Sequence, residues 1–433
     1  NFQELDRFEA RCKLSPGVVP EAMALLVNKT TPKMLKETNL SHYQMIRQLV
    51  DKFKQWKNSI FIGYNSINFD EEFLRRTLWK NLEYPYLTNT RGSERGDLFG
   101  LARACHLYYP DCIKTPISDK NNPVFKLEKL APINNIKHDD AHSAIGDVLA
   151  TVEIAKLLNK KAPSVWKASL MTTHKDKTFK LIQDEQLFCT DFFYYGKSIP
   201  FVLTFVCQHP QWSYPMCFDL KSDPSYYFNL STQELKKELD KKPKVIRIIK
   251  HKKHPIIMNP KYGMNFDSYK QLGINKLKER AKLVRENKEF AKKVSMVLDD
   301  EATEKKELDS QLDVYPEESI YIKFASDHDN KIMPEFHKTD WSNKFSVIQK
   351  FKDERMQYFG KKILYEESPQ SLPKEQYELM HKEIAQRILS SNEEKWNTIP
   401  RTYSEIDTLR NKFKRDEEKL KLLDDINSYI EEI

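Results

Sequence analysis

Apolar positions in the first third of this chain alternate between a helical and a strand-like period. Ser41-His42-Tyr43-Gln44 reads as a capping box, and Ile46, Leu49, Val50 and Phe53 then recur at helical spacing, which predicts an amphipathic helix over 41–56. Ile60-Phe61-Ile62-Gly63-Tyr64 is short, apolar and β-branched at two positions, as a buried strand would be. Phe73, Leu74, Thr77 and Leu78 open a helix directly after Asp70, and a longer helix is predicted over 144–158. This βα order predicts an α/β domain with a sheet core.

Past Lys160-Lys161-Ala162-Pro163 the texture changes to aromatic, β-rich runs at 187–195, 199–207, 216–220 and 245–249, which predict a small barrel or sandwich. Helical spacing returns over 275–298, a polar acidic stretch over 299–318 reads as a linker, and helices are predicted at 343–359, 374–389, 403–414 and 416–430. No fixed-period repeat interrupts this order.

Length supports the division. At 433 residues the chain exceeds the roughly 250 to 300 at which single cores stop growing. Its 71 Lys+Arg against 63 Asp+Glu give a formal charge of +8, a mild bias toward a polyanionic partner. The six cysteines form no CxxC pair and read as reduced thiols of a cytoplasmic protein. No run approaches the roughly 20 apolar residues of a membrane helix.

The candidate chemistry lies in two segments. His142 and Asp147 stand five residues apart in His142-Ser143-Ala144-Ile145-Gly146-Asp147, downstream of Asp70 in Gly63-Tyr64-Asn65-Ser66-Ile67-Asn68-Phe69-Asp70. Carboxylates suit hard Mg²⁺, and a histidine beside them can take a proton from water near neutral pH. Mid-helix, five residues turn about 500° and leave two side chains about 140° apart. A shared site therefore requires His142 in the loop or first turn and Asp147 inside the helix. The apolar stripe Ala144, Ile145, Val148, Val152 and Ala155, which starts after the histidine, agrees. The bland alternative makes His142 and Asp70 helix caps and Asp147 a solvated residue. Arg75 and Arg103 suit phosphate contacts, Tyr86 in Tyr84-Pro85-Tyr86 a base-stacking role, and Lys126 a phosphate contact, each against a packing or surface alternative. Gly92, Gly96 and Gly100 do not form GxGxxG, and no P-loop occurs. Cys105-His106 and Cys112 lack zinc spacing and read as core or incidental, and Lys250-His251-Lys252-Lys253-His254 reads as a solvated charged loop, with contact to a phosphate backbone as the alternative.

Together, Gly63-Tyr64-Asn65 through Phe69-Asp70-Glu71-Glu72, Arg103-Ala104-Cys105, Phe125-Lys126-Leu127-Glu128 and Ala141-His142 through Asp147 resemble the bacterial exodeoxyribonuclease I family. The likeness continues through Leu272-Gly273-Ile274-Asn275, Leu283-Val284-Arg285-Glu286-Asn287 and the helical C-terminal part. It implies a ribonuclease-H-like exonuclease domain over 1–160, an SH3-like barrel with extra helices over 163–315 and a helical C-terminal domain over 318–433. The implied activity is 3′→5′ hydrolysis of single-stranded DNA to 5′-mononucleotides by a monomer with two Mg²⁺ ions, Mn²⁺ being the substitute, in DNA repair and recombination.

By position, the resemblance makes His142 the general base, Asp147 a direct metal ligand and Asp70 the carboxylate supporting the second metal. It places Arg75, Tyr86, Arg103 and Lys126 against the DNA strand. Lys126 stands where an arginine is usual, which keeps a charge and loses the bidentate fork, and Thr90 stands near the place of a tryptophan. The family's Asp-x-Glu motif is not in this sequence, so a fragment of an active enzyme is expected, with a catalytically inactive strand-binding or scaffold protein as the alternative. The acidic tail of single-stranded-DNA-binding protein is an implied partner, although Tyr109 and Ala168 stand where basic and aromatic residues are expected.

Overall fold

A computed structural model describes residues 2–90, 92–138, 143–309 and 314–432. The chain divides into two compact units, one comprising residues 1–2, 58–71 and 88–313, the other residues 3–57, 72–87 and 314–433.

In the first unit, β1 (Ile60–Gly63) pairs in parallel with β2 (Glu94–Asp97), in a register that sets Gly63 beside Asp97. Helix Leu98–Tyr108 follows β2 and buries Ala102, Ala104 and Cys105, whose small volumes let neighbouring elements approach closely. Helix Ala144–Lys161 extends three residues past its predicted end and contributes Ile154, Ala155 and Leu158 to the same core. Further along the chain, β3 (Phe188–Tyr194), β4 (Lys197–Gln208), β5 (Pro215–Asp219) and β6 (Ile246–Ile248) form an antiparallel sheet in that order, close to the four predicted strands. Cys189 and Met258 exchange both backbone hydrogen bonds, at 2.9 and 2.7 Å, which covers the start of β3. Val202, Phe218, Leu277 and Val294 join the core cluster that holds Cys105, so one apolar core joins the antiparallel sheet to the helix that follows β2.

Two expectations are corrected here. Residues 299–309, read as a linker, continue helix Lys288–Asp309. Buried Val294, Leu298 and Ala302 hold it, and Lys236 pairs with Glu304 at 2.9 Å, so apolar anchors at helical spacing outweigh the acidic composition. The basic run at 250–254 is docked rather than solvated: His251 and His254 are buried, Arg95 donates to the Lys252 carbonyl at 2.6 Å, and Lys253 Nζ donates to Asn68 Oδ1 at 2.7 Å.

The second unit is helical. Ser41 caps helix His42–Gln55 through both halves of the predicted capping box. One cluster gathers Trp79, Phe336, Phe351 and Phe359, and another gathers Leu26, Ile406, Leu423 and Ile426. The predicted helix over 343–359 is two helices, Lys344–Ile348 and Glu354–Glu367, because Asp353 accepts from the Arg355 N–H and starts a new helix. Helix Lys374–Leu389 matches its prediction.

Candidate active site

The end of β1 turns sharply. A Cβ on Gly63 would stand 2.5 Å from the Ser66 Cβ, so only glycine fits, and Asn65 takes a left-handed φ of 60° that asparagine tolerates. Asp97, at the end of the neighbouring strand, holds the turn. Its Oδ1 accepts the N–H groups of Asn65 at 2.8 Å and Phe99 at 2.9 Å, and its Oδ2 accepts that of Ile67 at 3.1 Å. Burial pushes the Asp97 carboxyl up, against the pull of those three donors. Its own N–H donates to His254 Nδ1 at 2.9 Å, while His254 Nε2 donates to the Ser169 carbonyl at 2.9 Å. A neutral imidazole meets both demands, and burial lowers the basicity of His254 accordingly.

The turn delivers Asp70 to the first position of helix Asp70–Lys80. The Asp70 carboxyl is raised above its ordinary value, first because protein displaces its water and then because the like charges of Asp147 and Glu71 lie within reach. Asp147 lies in the first turn of its helix, which Ser143 caps by accepting the Gly146 N–H at 3.0 Å. One carboxylate oxygen of Asp147 meets His138 Nε2 at 2.6 Å. The His138 side chain is 1 % exposed, so this bond fixes the carboxylate from the protein side, while 46 % of the Asp147 side chain faces solvent.

A cleft of about 330 Å³ is lined by Tyr64, Asn65, Lys126, Glu128, His138 and Asp147. Tyr64 donates to the Phe125 carbonyl at 2.5 Å, which ties the Lys126 segment to the end of β1. Lys126 precedes helix Leu127–Ile133, and its side chain is 73 % exposed with Nζ 3.9 Å from Glu128. Arg103 lies next door, its guanidinium 4.9 Å from the Phe99 ring and 4.4 Å from that of Phe193. It lines a second, larger cavity that shares Phe99 with the first.

Arg75 and Tyr86 belong to the second unit, where the Arg75 guanidinium lies 5.2 Å from the Tyr86 ring. Tyr86 meets Phe324 edge-on at 6.1 Å, and Tyr321 donates to Glu72 beneath Arg76. Thus Asp70, Asp147 and Lys126 fall in one neighbourhood, Arg103 adjoins it, and Arg75 and Tyr86 form a stacked pair in the other unit. His142 lies outside the described residues.

Sequence reasoning missed three features. His138, four residues before His142, was available as a second histidine in the same segment. In Tyr321-Ile322-Lys323-Phe324 two rings flank a lysine, an aromatic and basic pattern of the kind that binds single strands. Asp97 had no distinguishing signal, since an aspartate before an apolar helix reads as a cap and nothing more.

The donor set suits a hard divalent cation. Asp70 and Asp147 repel one another, and a cation between oxygen ligands turns that repulsion into attraction. Among the described residues, no group of three or more His, Cys, Asp and Glu side chains converges at such a site.

Residues 3–155 match the family model described as Exonuclease, and residues 312–433 match the one described as Exonuclease I C-terminal domain. The chain thus carries an exonuclease domain and an exonuclease I C-terminal domain, and is similar to exodeoxyribonuclease I. Exodeoxyribonuclease I of Haemophilus influenzae is 34% identical over 172 residues, covering 40% of this chain and 36% of that protein, so the match spans about a third of that relative's length. The Escherichia coli exodeoxyribonuclease I is 25% identical over 380 residues, covering 84% of this chain and 77% of that one. A solved E. coli exonuclease I in complex with a dT13 oligonucleotide superposes with a TM-score of 0.77 at 21% identity, over 97% of this chain and 90% of that one. The fold is therefore that of exodeoxyribonuclease I, with a ribonuclease-H-like exonuclease domain, an SH3-like barrel with added helices and a helical C-terminal domain. Exonucleases of this type depend on divalent metal ions. No helix among the described residues is long and apolar enough to cross a membrane.

Proposed function

We propose that this chain is a 3′→5′ exonuclease that hydrolyses single-stranded DNA to 5′-mononucleotides. The observation that carries the reading is Asp147, held by His138, beside the exposed ammonium of Lys126 in a cleft at the carboxyl end of β1, with Asp70 near enough to feel the Asp147 charge. Asp70 and Asp147 would hold Mg²⁺, as two ions when complete, with Mn²⁺ as the substitute. When bound, the ions polarise the scissile phosphate and offset charge on the leaving 3′-oxygen.

The side chains divide the remaining work. His142 takes the proton of the attacking water, for which an imidazole near its ordinary basicity is suited. His138 holds Asp147 in one orientation through its 2.6 Å bond. Lys126 offers a point charge to a phosphate near the scissile one, and Arg103, Arg75 and Tyr86 bind the strand by charge and stacking. Such contacts carry little base preference and strong salt dependence.

The same reading divides the chain at 1–160, 163–315 and 318–433, and makes the protein a cytoplasmic monomer acting in DNA repair. The acidic tail of single-stranded-DNA-binding protein is a second proposed partner. It would meet a surface where Tyr109 hydrogen-bonds Tyr262 at 2.6 Å and Ala168 is buried, in place of a charge and a ring.

The test is digestion of a 5′-labelled single-stranded oligonucleotide with Mg²⁺ or Mn²⁺, alongside strand binding in EDTA. Digestion from the 3′ end, stopped by EDTA and lowered at least a hundredfold by His142→Ala or Asp147→Asn with binding kept, is expected. Tight binding without digestion under either metal would establish an inactive strand-binding protein instead.

A further inference from the structure

A small polar cavity in the first unit is walled by three separate stretches of chain, drawn from residues 89–95, 172–175 and 251–254. Its free volume is about 10 Å³, room for one water or one monatomic ion. No nucleotide fits there.

Two buried polar atoms on its wall, Asn89 Oδ1 and His251 Nδ1, have no hydrogen-bond partner among the described residues. Buried groups in this state are rare and call for a ligand or a cause. His251 is 4% exposed and meets the rings of Phe179 and Tyr214 edge-on at 5.3 and 5.7 Å, which holds its imidazole against the cavity. Burial, with the charge of Lys252 beside it, lowers its pKa to about 4, so the ring is neutral at pH 7. Neither the Asn89 amide nor the imidazole makes another hydrogen bond among the described residues. The amide is therefore free to turn end for end and the ring to carry its proton on Nδ1, and each then sends an N–H inward.

Charge decides between water and an anion. Arg95, Lys175 and Lys252 line the cavity, and no carboxylate does. Glu71 pairs with Arg95, and Asp176 lies near His251 outside the lining. Lys175 and Lys252 have no carboxylate partner among the described residues, so the surroundings stay positive. Helix Lys175–Asp184 starts at the same wall, where its dipole adds charge of the same sign.

We propose that this cavity binds one small monovalent anion of the chloride type, between the Asn89 amide, the Ser93 hydroxyl and His251 Nδ1. The ion joins the segment leading into β2 to the 251–254 segment, whose His254 accepts the Asp97 N–H. It steadies the turn at the end of β1 from a distance, and it needs no reading of the enzymatic activity.

The test follows thermal unfolding of the full chain at fixed ionic strength, with sodium glutamate replaced stepwise by sodium chloride, so that screening stays constant. At ten times its dissociation constant, an ion at one site should raise the midpoint by about 3 to 6 °C, along a curve that saturates. Asn89→Leu removes the amide and should abolish the rise. Crystals of the parent chain soaked in bromide should show an anomalous peak between Asn89 and His251, which locates the ion whether or not the variant folds. A linear or absent rise, or one that Asn89→Leu keeps, overturns the proposal, as does a cavity that holds only water in the bromide crystals. A bromide peak without a saturating rise in solution marks an adventitious ion only and overturns it as well.

Discussion

Replacing Asp97 by asparagine separates a helix cap from a loop anchor. Asparagine caps helices as well as aspartate does, so a residue that only capped helix Leu98–Tyr108 would lose almost nothing. Asp97 does more. Asparagine can keep its carbonyl toward Asn65 and Phe99, but its amide then meets the Ile67 N–H, donor against donor. Two charge-assisted bonds become neutral ones, at about 1 kcal/mol each, and a buried N–H left unmet costs about 1 to 3 kcal/mol. With partial relaxation of the turn the loss is about 3 kcal/mol. Urea unfolding at pH 7, followed by a probe on the first unit, measures it directly. Hydrolysis should fall as well, because the turn that relaxes carries Asp70. A loss below about 1 kcal/mol with unchanged hydrolysis would refute the anchoring role.

Three other outcomes are expected. His337 accepts from Tyr43 and donates to the Leu82 carbonyl, both at 2.9 Å, and burial with the Arg47 charge lowers its pKa to about 3. Below pH 6.5 the unfolded chain therefore takes a proton that the folded one refuses, and stability falls by about 1.4 kcal/mol per pH unit until the pH nears the folded value. His337→Gln should remove that part of the slope between pH 6.5 and 4, and an unchanged slope would sink the assignment. Gly360→Ala places a Cβ 2.7 Å from Ile348 Cγ1 and should destabilise the second unit by about 1 to 3 kcal/mol despite better helix propensity, with Ile348→Ala relieving the clash in the double variant. Phe324→Ala removes an exposed ring beside Tyr86 and should weaken single-strand binding about tenfold in anisotropy titrations, whereas unchanged affinity would take the stacked pair out of the strand's path.

Local elements were legible where local physics decides them. The capping box at Ser41, the four strands between 188 and 248 and helix Lys374–Leu389 follow from spacing and composition, because caps and apolar periods act within a few residues. The acidic stretch after Leu298 misled because what keeps it helical is Ala302 packed into a core that sequence spacing does not reveal. The segment at 250–254 misled for the same reason, its histidines being buried by partners far along the chain.

For the site, the sequence by itself determined which side chains could do metal-assisted hydrolysis: two carboxylates and a histidine at spacings that an α/β sheet can gather. Only the tertiary structure decided that Asp70 lies within reach of the Asp147 charge, that His138 holds Asp147, that Asp97 fixes the turn below Asp70, and that two sheet edges frame a basic cavity nearby. The physical reason is range. Helix caps and periods are set by neighbours in the chain, whereas a repulsion between carboxylates 77 positions apart, or a hydrogen bond from His254 to Asp97, exists only once the core has brought distant segments together.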